Sequence, residues 1–452
     1  MGAAWARCYS RVVVRADVIE PDLALVGGRF ERGIRVEILP DGTLGRVGRF
    51  EHPAVRRLPG RAVIPGFVNA HSHAFQRGLR GMGEDFPVGA GSFFTWREAM
   101  YALVERLDFG SAYTLSRKAF EEMLDAGFTT VGEFHYVRHI SDQARFVLDE
   151  AIVTAAADAG IRLVLLHTAY ETGGVERPLV GGQRRFETRG LDEYWREHAR
   201  LEELVGGIGG TVGVVAHSVR AVPFNSIRLL HQGSLERGQV FHMHVEEVVL
   251  EITECEGHYG RRPMQMVVEE LAVDGRFTAV HCTHTDPRDM ERFGARGGNV
   301  CLCPLTEGNL GDGVPGVPHM RKAGARIAIG TDLNSRLCAF EELRWLEYVQ
   351  RVTRQERGVL VNSHGHAAEA LLEVGTVNGA RSLGVHAGLL EPGRLADLAV
   401  IDLEHPTLAE WTERSLPASL VFGAGTSVVV ATCVGGRWRH RRGAPSCAPP
   451  AS

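Results

Sequence analysis

Eight short apolar runs recur along this chain, each ending in polar residues, and that rhythm restricts the fold more than any other feature. The runs are RAVIPGFVNAHSH, GFTTVGEFHY, IRLVLLHTAY, GTVGVVAHSV, QVFHMHVEE, FTAVHCTH, GNVCLCP and ARIAIGTDL. Each is nearly continuous in apolar residues, as a parallel strand covered on both faces must be. Amphipathic stretches such as SAYTLSRKAFEEMLDAG and HISDQARFVLDEAIVTAAADAG lie between them, and the second stops at a glycine, a usual helix end. Eight βα units predict a (β/α)8 barrel over residues 61–385. The flanks differ. Residues 1–60, with RVVVRADVIE and GIRVEILPDGTLGRVG, read as short strands and turns, as do 386–440, with LADLAVIDL and SVVVATCVGGRWRH. They are expected to pair into one small β-sandwich domain built from both termini. The end, RRGAPSCAPPAS (441–452), reads as a disordered tail.

The polar residues gather where the strands end: His71 and His73, Glu133 and His135, His167, His217, His244, His281 and Asp332. In a barrel these ends converge on one mouth, where the active site sits. A single strand-end histidine is more often a core or surface residue than a ligand. A series on successive strands is hard to obtain by accident. Residues two apart on a strand share a face, so His71 and His73 point together, as do His242 and His244. With Asp332 after the eighth strand, three imidazoles and a carboxylate suit one divalent first-row metal with a position left for water. The bland reading, simple alternation in a polar-faced sheet, leaves Asp332 without a purpose.

Composition narrows the partners. Net charge is −5, so no overall basic surface is offered to nucleic acid. No apolar run approaches the roughly 20 residues of a membrane span, and Arg7, Arg11 and Arg15 interrupt any signal-type apolar core near the start. A cytoplasmic protein with neither nucleic-acid nor membrane partners is expected. The eight cysteines form no CxxC pair and read as small buried apolar residues. Lysine occurs only at positions 118 and 322. A second metal in such barrels usually needs a bridging carboxylated lysine at the end of a middle strand, and neither lysine is placed there, so one metal is expected.

PGFVNAHSH, FHMHVEE, VHCTH, GTDLNS and PGRLADLAVIDL together resemble the amidohydrolase superfamily, over essentially the whole length, and its metal-dependent deaminase branch. HSHAFQRGLRG, TTVGEFHYV, AHSVRAV and CPLTEGNLGDG look most like the members that deiminate N-formimino-L-glutamate. The resemblance implies His71, His73, His244 and Asp332 as ligands of one divalent ion, zinc first and ferrous iron second. It implies Glu247 as proton shuttle, with His281 and Asp332 as further catalytic groups, and Gln76, Arg97, Tyr136, His217 and Arg220 around the substrate. One departure is visible: where the family often reads HxHxAEQ, this chain reads HMHVEEV, so Glu246 stands beside Glu247 as a second candidate. Spacing from His244 favours Glu247.

The implied reaction is hydrolysis of N-formimino-L-glutamate to N-formyl-L-glutamate and ammonia, in histidine degradation, by a homodimer. A substrate with two carboxylates calls for fixed arginines, which match carboxylates bidentately. Arg220, three residues after His217, and Arg97 in FFTWREAM are the candidates. The rival enzyme reading is a mononuclear-metal deaminase of guanine, adenosine or S-adenosylhomocysteine, which would want stacking aromatics instead. The rival of another class is a metal-dead barrel serving as a scaffold, which would have lost ligands. The Gly-rich loops MGEDFPVGAGSFFTW and ETGGVERPLVGGQRRFETRG are expected to close over the mouth.

Overall fold

The computed structural model describes residues 16–82, 84 and 93–440. Most of the first Gly-rich loop and all of the tail at 441–452 therefore lie outside the described residues. The barrel strands are β1 (Phe67–Ser72), β2 (Phe128–His135), β3 (Arg162–Ala169), β4 (Thr211–Ala216), β5 (Phe241–Val245), β6 (Phe277–His281), β7 (Asn299–Leu302) and β8 (Arg326–Ile329). They pair in parallel and in sequence order from β1 to β8. The ring closes just past β8, where the Thr331 and Asp332 amides donate to the His71 carbonyl at 3.0 Å. Closure needs a glycine at 330, because a Cβ there would sit 2.7 Å from His71 Cβ and 2.8 Å from its carbonyl oxygen.

The expected helices form for identifiable reasons. Phe109–Asp125 begins at Asp108, whose carboxylate accepts the Ser111 amide at 2.7 Å and satisfies a free helix-end donor. Val147–Ala159 stops at Gly160, which takes the left-handed conformation at φ 79°. The residues before it, 139–146, are loop rather than helix.

Outside the barrel, the terminal segments build one continuous mixed sheet. Its order is Arg437–His440, Val429–Val434, Leu398–Asp402, Arg56–Pro65, Asp17–Val26, Arg35–Ile38 and Leu44–Gly48, with Arg29–Glu31 paired to Asp17–Val26. Ile19, Val36, Leu58, Val63, Leu398, Val400 and Ala431 form its separate buried cluster. The run expected as one strand, RAVIPGFVNAHSH, is divided between the two bodies. Arg56–Pro65 belongs to the terminal sheet and crosses position 60, the expected limit of the N-terminal part. The chain turns at Gly66, where a Cβ would lie 2.2 Å from Thr129 Oγ1, and β1 enters the barrel. Residues 62–65 and 67–72 are both buried and mostly apolar, so apolar content could not reveal the hand-over.

Candidate active site

The C-terminal ends of β1, β5, β6 and β8 meet around Asp332. His73 Nε2 lies 3.3 Å and His71 Nε2 3.5 Å from Asp332 Oδ1. His244 Nε2 is 3.2 Å from His71 Nε2. His281 Nε2 lies 3.8 Å from Asp332 Oδ2. His71, His73, His244 and Asp332 are all at most 5% exposed. The tautomers follow from the second nitrogens. His73 Nδ1 faces the Phe134 carbonyl at 2.9 Å and His244 Nδ1 the His217 carbonyl at 3.0 Å. A carbonyl only accepts, so each Nδ1 carries the proton and each Nε2 presents a lone pair. Burial, chiefly, lowers His73 to about 3 and lowers His71 and His244 well below the usual imidazole value, so the rings are neutral.

The His73 lone pair thus faces a carboxylate oxygen at 3.3 Å. Acceptor against acceptor in a buried place is unfavourable unless a cation stands between them. Neutral imidazoles and a carboxylate are the donor set of a zinc-type ion, and backbone carbonyls behind two of the rings fix their tautomer and aim. The geometry therefore fits one divalent ion.

Backbone strain is concentrated at the same rim. Glu246 (φ 54°), His281 (φ 71°), Cys282 (φ 52°), Asp332 (φ 43°) and Asn334 (φ 56°) all occupy the left-handed region, which costs non-glycine residues energy and collects at functional sites. A hydrogen-bond lattice holds Asp332 there. Asn69 Oδ1 accepts the Thr331 amide at 3.0 Å, Thr331 Oγ1 donates to Asn334 Oδ1 at 2.6 Å, and Asn334 Nδ2 donates to Ser72 Oγ at 3.1 Å.

Glu247 stands on the open side of this cluster, its Oε1 3.7 Å from His281 Nε2 and its Oε2 3.7 Å from the Arg220 guanidinium. Glu246 points elsewhere: it is fully buried and accepts the Met264 amide at 3.1 Å. Consecutive strand-end side chains diverge, so only one of the two glutamates faces the cavity. His281 Nδ1 lies 3.4 Å from Glu307 Oε1. Burial opposes a charge on His281, but Glu247, Glu307 and Asp332 outweigh it and raise its pKa well above the usual value.

A cavity of about 590 Å³ opens over these groups. It is lined by His73, His244, Glu247, His281 and Asp332 and by all five expected substrate residues, Gln76, Arg97, Tyr136, His217 and Arg220. Gln76 Nε2 donates to the Tyr136 hydroxyl at 2.8 Å, and Arg220 Nε has no hydrogen-bond acceptor among the described residues.

Other strand-end polar residues turn away from the mouth, against expectation. His135 Nε2 pairs with Asp149 at 2.9 Å, on the helix after β2. His167 stacks on Tyr194 with ring centroids 4.1 Å apart. Strand alternation explains this: Phe134 and Tyr136 face the histidine cluster, so His135 between them faces the helices. His242 donates from Nε2 to the Ser382 carbonyl at 2.9 Å and stays in the core. Lys118 and Lys322 are exposed on helices. Sequence reasoning missed Glu307, Tyr101, Tyr170 and Gln183. Tyr170 directly follows β3, so the strand-end rule would have found it had the rule included tyrosine.

The profile of the Amidohydrolase family matches residues 62–439. The formimidoylglutamate deiminase of Pseudomonas aeruginosa is 37% identical over 426 residues, covering 93% of this chain and 94% of that protein. The 5-methylthioadenosine/S-adenosylhomocysteine deaminase of Syntrophobacter fumaroxidans is 28% identical over 433 residues, 93% of this chain and 90% of that one. Among solved structures, an amidohydrolase from Brucella melitensis superposes with a TM-score of 0.86 at 30% identity, covering 94% of this chain and 96% of its own.

Proposed function

The chain belongs to the amidohydrolase family, and from that premise we propose that it hydrolyses N-formimino-L-glutamate to N-formyl-L-glutamate and ammonia, as a step of histidine breakdown. One observation carries the substrate: Arg97 and Arg220 share a cavity with His73, His244 and Asp332. Two fixed guanidinium groups beside a hydrolytic centre suit a small molecule with two carboxylates. The 37% identity to a formimidoylglutamate deiminase supports the same reading.

His71, His73, His244 and Asp332 would hold one divalent ion, zinc first and ferrous iron second. Such an ion supplies Lewis acidity, bringing the pKa of a water toward 7. The protein's own groups do the rest. Asp332 accepts the proton of the attacking water. The oxygen bonds to the amidine carbon, and the bond from that carbon to the terminal nitrogen breaks. Glu247 delivers protons to that nitrogen, which leaves as ammonia. His281, with Glu247 and Glu307 beside its two ring nitrogens, hydrogen-bonds the developing charge on oxygen. Arg97 and Arg220 bind the carboxylates, and Gln76, Tyr136 and His217 surround the formimino group.

The nucleoside reading draws on the tyrosine rings in the wall and on the 28% identical relative, but it leaves the two arginines without a task. An ammonia-release assay of the zinc-loaded protein separates the two. N-formimino-L-glutamate should be turned over, while guanine, adenosine and S-adenosylhomocysteine should not. Ammonia from one of those three compounds alone overturns the proposal. We expect a homodimer in the cytoplasm without nucleic-acid or membrane partners, which light scattering of the purified protein checks for the oligomer.

A further inference from the structure

The stretch CPLTEGNLGDG carries part of the resemblance noted in the sequence, yet the reaction above gives none of its residues a task of its own. Its central residue, Glu307, lies on the short helix Pro304–Leu310 that follows β7. Glu307 is 4% exposed and is not among the described residues that line the cavity, so it is not placed to touch a substrate. It reaches His281 instead, with Oε1 3.4 Å from the ring Nδ1. The same oxygen accepts the Cys303 amide at 2.9 Å, which ties the carboxylate to the end of β7. The helix itself is held from two sides. The Leu305 amide donates to the fully buried Glu342 at 3.0 Å, and Thr306 Oγ1 accepts the amide of Leu333, the neighbour of Asp332, at 3.3 Å.

His281 needs such a support. β6 ends there, and the backbone enters the left-handed region at His281 (φ 71°) and stays in it at Cys282 (φ 52°). The strand pleat therefore no longer dictates where the side chain points. The ring torsion of a histidine has two broad, nearly equivalent wells. Passing from one to the other exchanges Nδ1 with Cδ2 and Nε2 with Cε1. Stacking on His244, with centroids 5.5 Å apart and planes 12° apart, sets the plane of the ring but not which edge faces which way. In the observed well Nε2 stands 3.7 Å from Glu247 Oε1 and 3.8 Å from Asp332 Oδ2. In the other well a C–H edge would take its place. A carboxylate only accepts, so Glu307 favours the well that presents Nδ1–H to it. The opposite nitrogen is then directed at the two carboxylates that move protons in the reaction.

Resting on the role given to His281 above, we propose that Glu307 is a positioning residue: it holds the imidazole by Nδ1 so that Nε2 is aimed at the reacting oxygen. Misplacing a reacting group by about 1 Å costs on the order of 10²-fold in rate, so Glu307→Leu should lower kcat for ammonia release roughly 100-fold at nearly unchanged KM. Glu307→Gln keeps a carbonyl oxygen that accepts from Nδ1 and from the Cys303 amide, and should return kcat to within about tenfold of the parent. Rates are referred to zinc-loaded protein, and zinc content should match the parent, because Glu307 is not among the ligand candidates. Where leucine is not tolerated at this buried position, Glu307→Asp withdraws the carboxylate by one methylene and should likewise lower kcat at unchanged KM. A second measurement needs no substrate. In 15N NMR of the histidine-labelled, zinc-loaded parent, the His281 signals, assigned by their loss in His281→Gln, should show the proton on Nδ1, and Glu307→Leu should mix the two tautomers. Unchanged kcat, a loss that glutamine does not recover, a rise in KM as large as the fall in kcat, or an unprotonated Nδ1 in the parent overturns the role of Glu307 and leaves the functional reading standing. Absence of ammonia from N-formimino-L-glutamate with the parent protein overturns the functional reading instead, and the NMR comparison then decides the role of Glu307 by itself.

Discussion

At the scale of single residues, the adjacent pair Glu246 and Glu247 separates chemistry from structure. Glu247 faces His281 and Arg220, while Glu246 is fully buried against the Met264 amide. Removing a general acid–base typically costs 10²–10⁴ in rate, so Glu247→Gln should lower kcat by about that range. Because Glu247 is not among the ligand candidates, metal content should not change. Glu246→Gln keeps an oxygen for the Met264 amide and should leave turnover nearly intact. Ammonia release together with metal analysis distinguishes the two. A loss of activity in the Glu246 variant that matched the loss in the Glu247 variant would reverse the assignment.

At the scale of elements, the helix Val147–Ala159 is fastened to β2 by charge as well as by apolar packing. Asp149 is fully buried and bonded by Arg138 at 2.7 Å, His135 at 2.9 Å and Arg200 at 2.7 Å. Burial pushes its carboxyl up, but Arg138 and His135 outweigh this and hold the pKa below the ordinary value. Breaking a buried pair leaves an uncompensated charge, here that of Arg138, so Asp149→Asn should cost about 3–5 kcal/mol in denaturant unfolding. A carboxyl whose folded pKa lies below its unfolded value of about 3.9 stabilises the fold at every pH above that value. The contribution disappears as pH falls through the folded pKa. The gap between parent and Asp149→Asn should therefore be full at neutral pH and close only under strongly acidic conditions. A gap that does not change down to pH 2 would mean the carboxylate is not the source.

At the scale of the whole molecule, the barrel was legible because parallel strands buried on both faces leave near-continuous apolar runs. The site was legible because active-site ligands in this fold sit where those runs end. HSH, HMH and GTD each carried both signals at once. Four things were hidden. The hand-over at Gly66 joins two buried apolar stretches, residues 62–65 and 67–72. The outward turn of His135 and His167 depends on which face of a twisted strand meets the helices. Glu307, on the short helix Pro304–Leu310, acts through His281 at the end of β6, a contact between elements distant in sequence. Also hidden was how the terminal sheet grips the barrel. Arg162, the first residue of β3, holds Asp397 with two hydrogen bonds, of 2.7 and 2.9 Å, and Asp397 also accepts the Gly435 amide at 2.7 Å. This clamp lies at the N-terminal ends of the strands, opposite the metal ligands, the face of such barrels that serves stability rather than chemistry. Arg162→Met keeps the apolar stem but leaves Asp397, fully buried, without its cation. The substitution should cost about 3–5 kcal/mol of stability while kcat and KM at 25 °C remain those of the parent. Urea unfolding alongside steady-state ammonia release tests this. A variant as stable as the parent would show that the two bodies do not depend on this ion pair. A stable variant with impaired kinetics would show instead that the bottom of the barrel reaches the site.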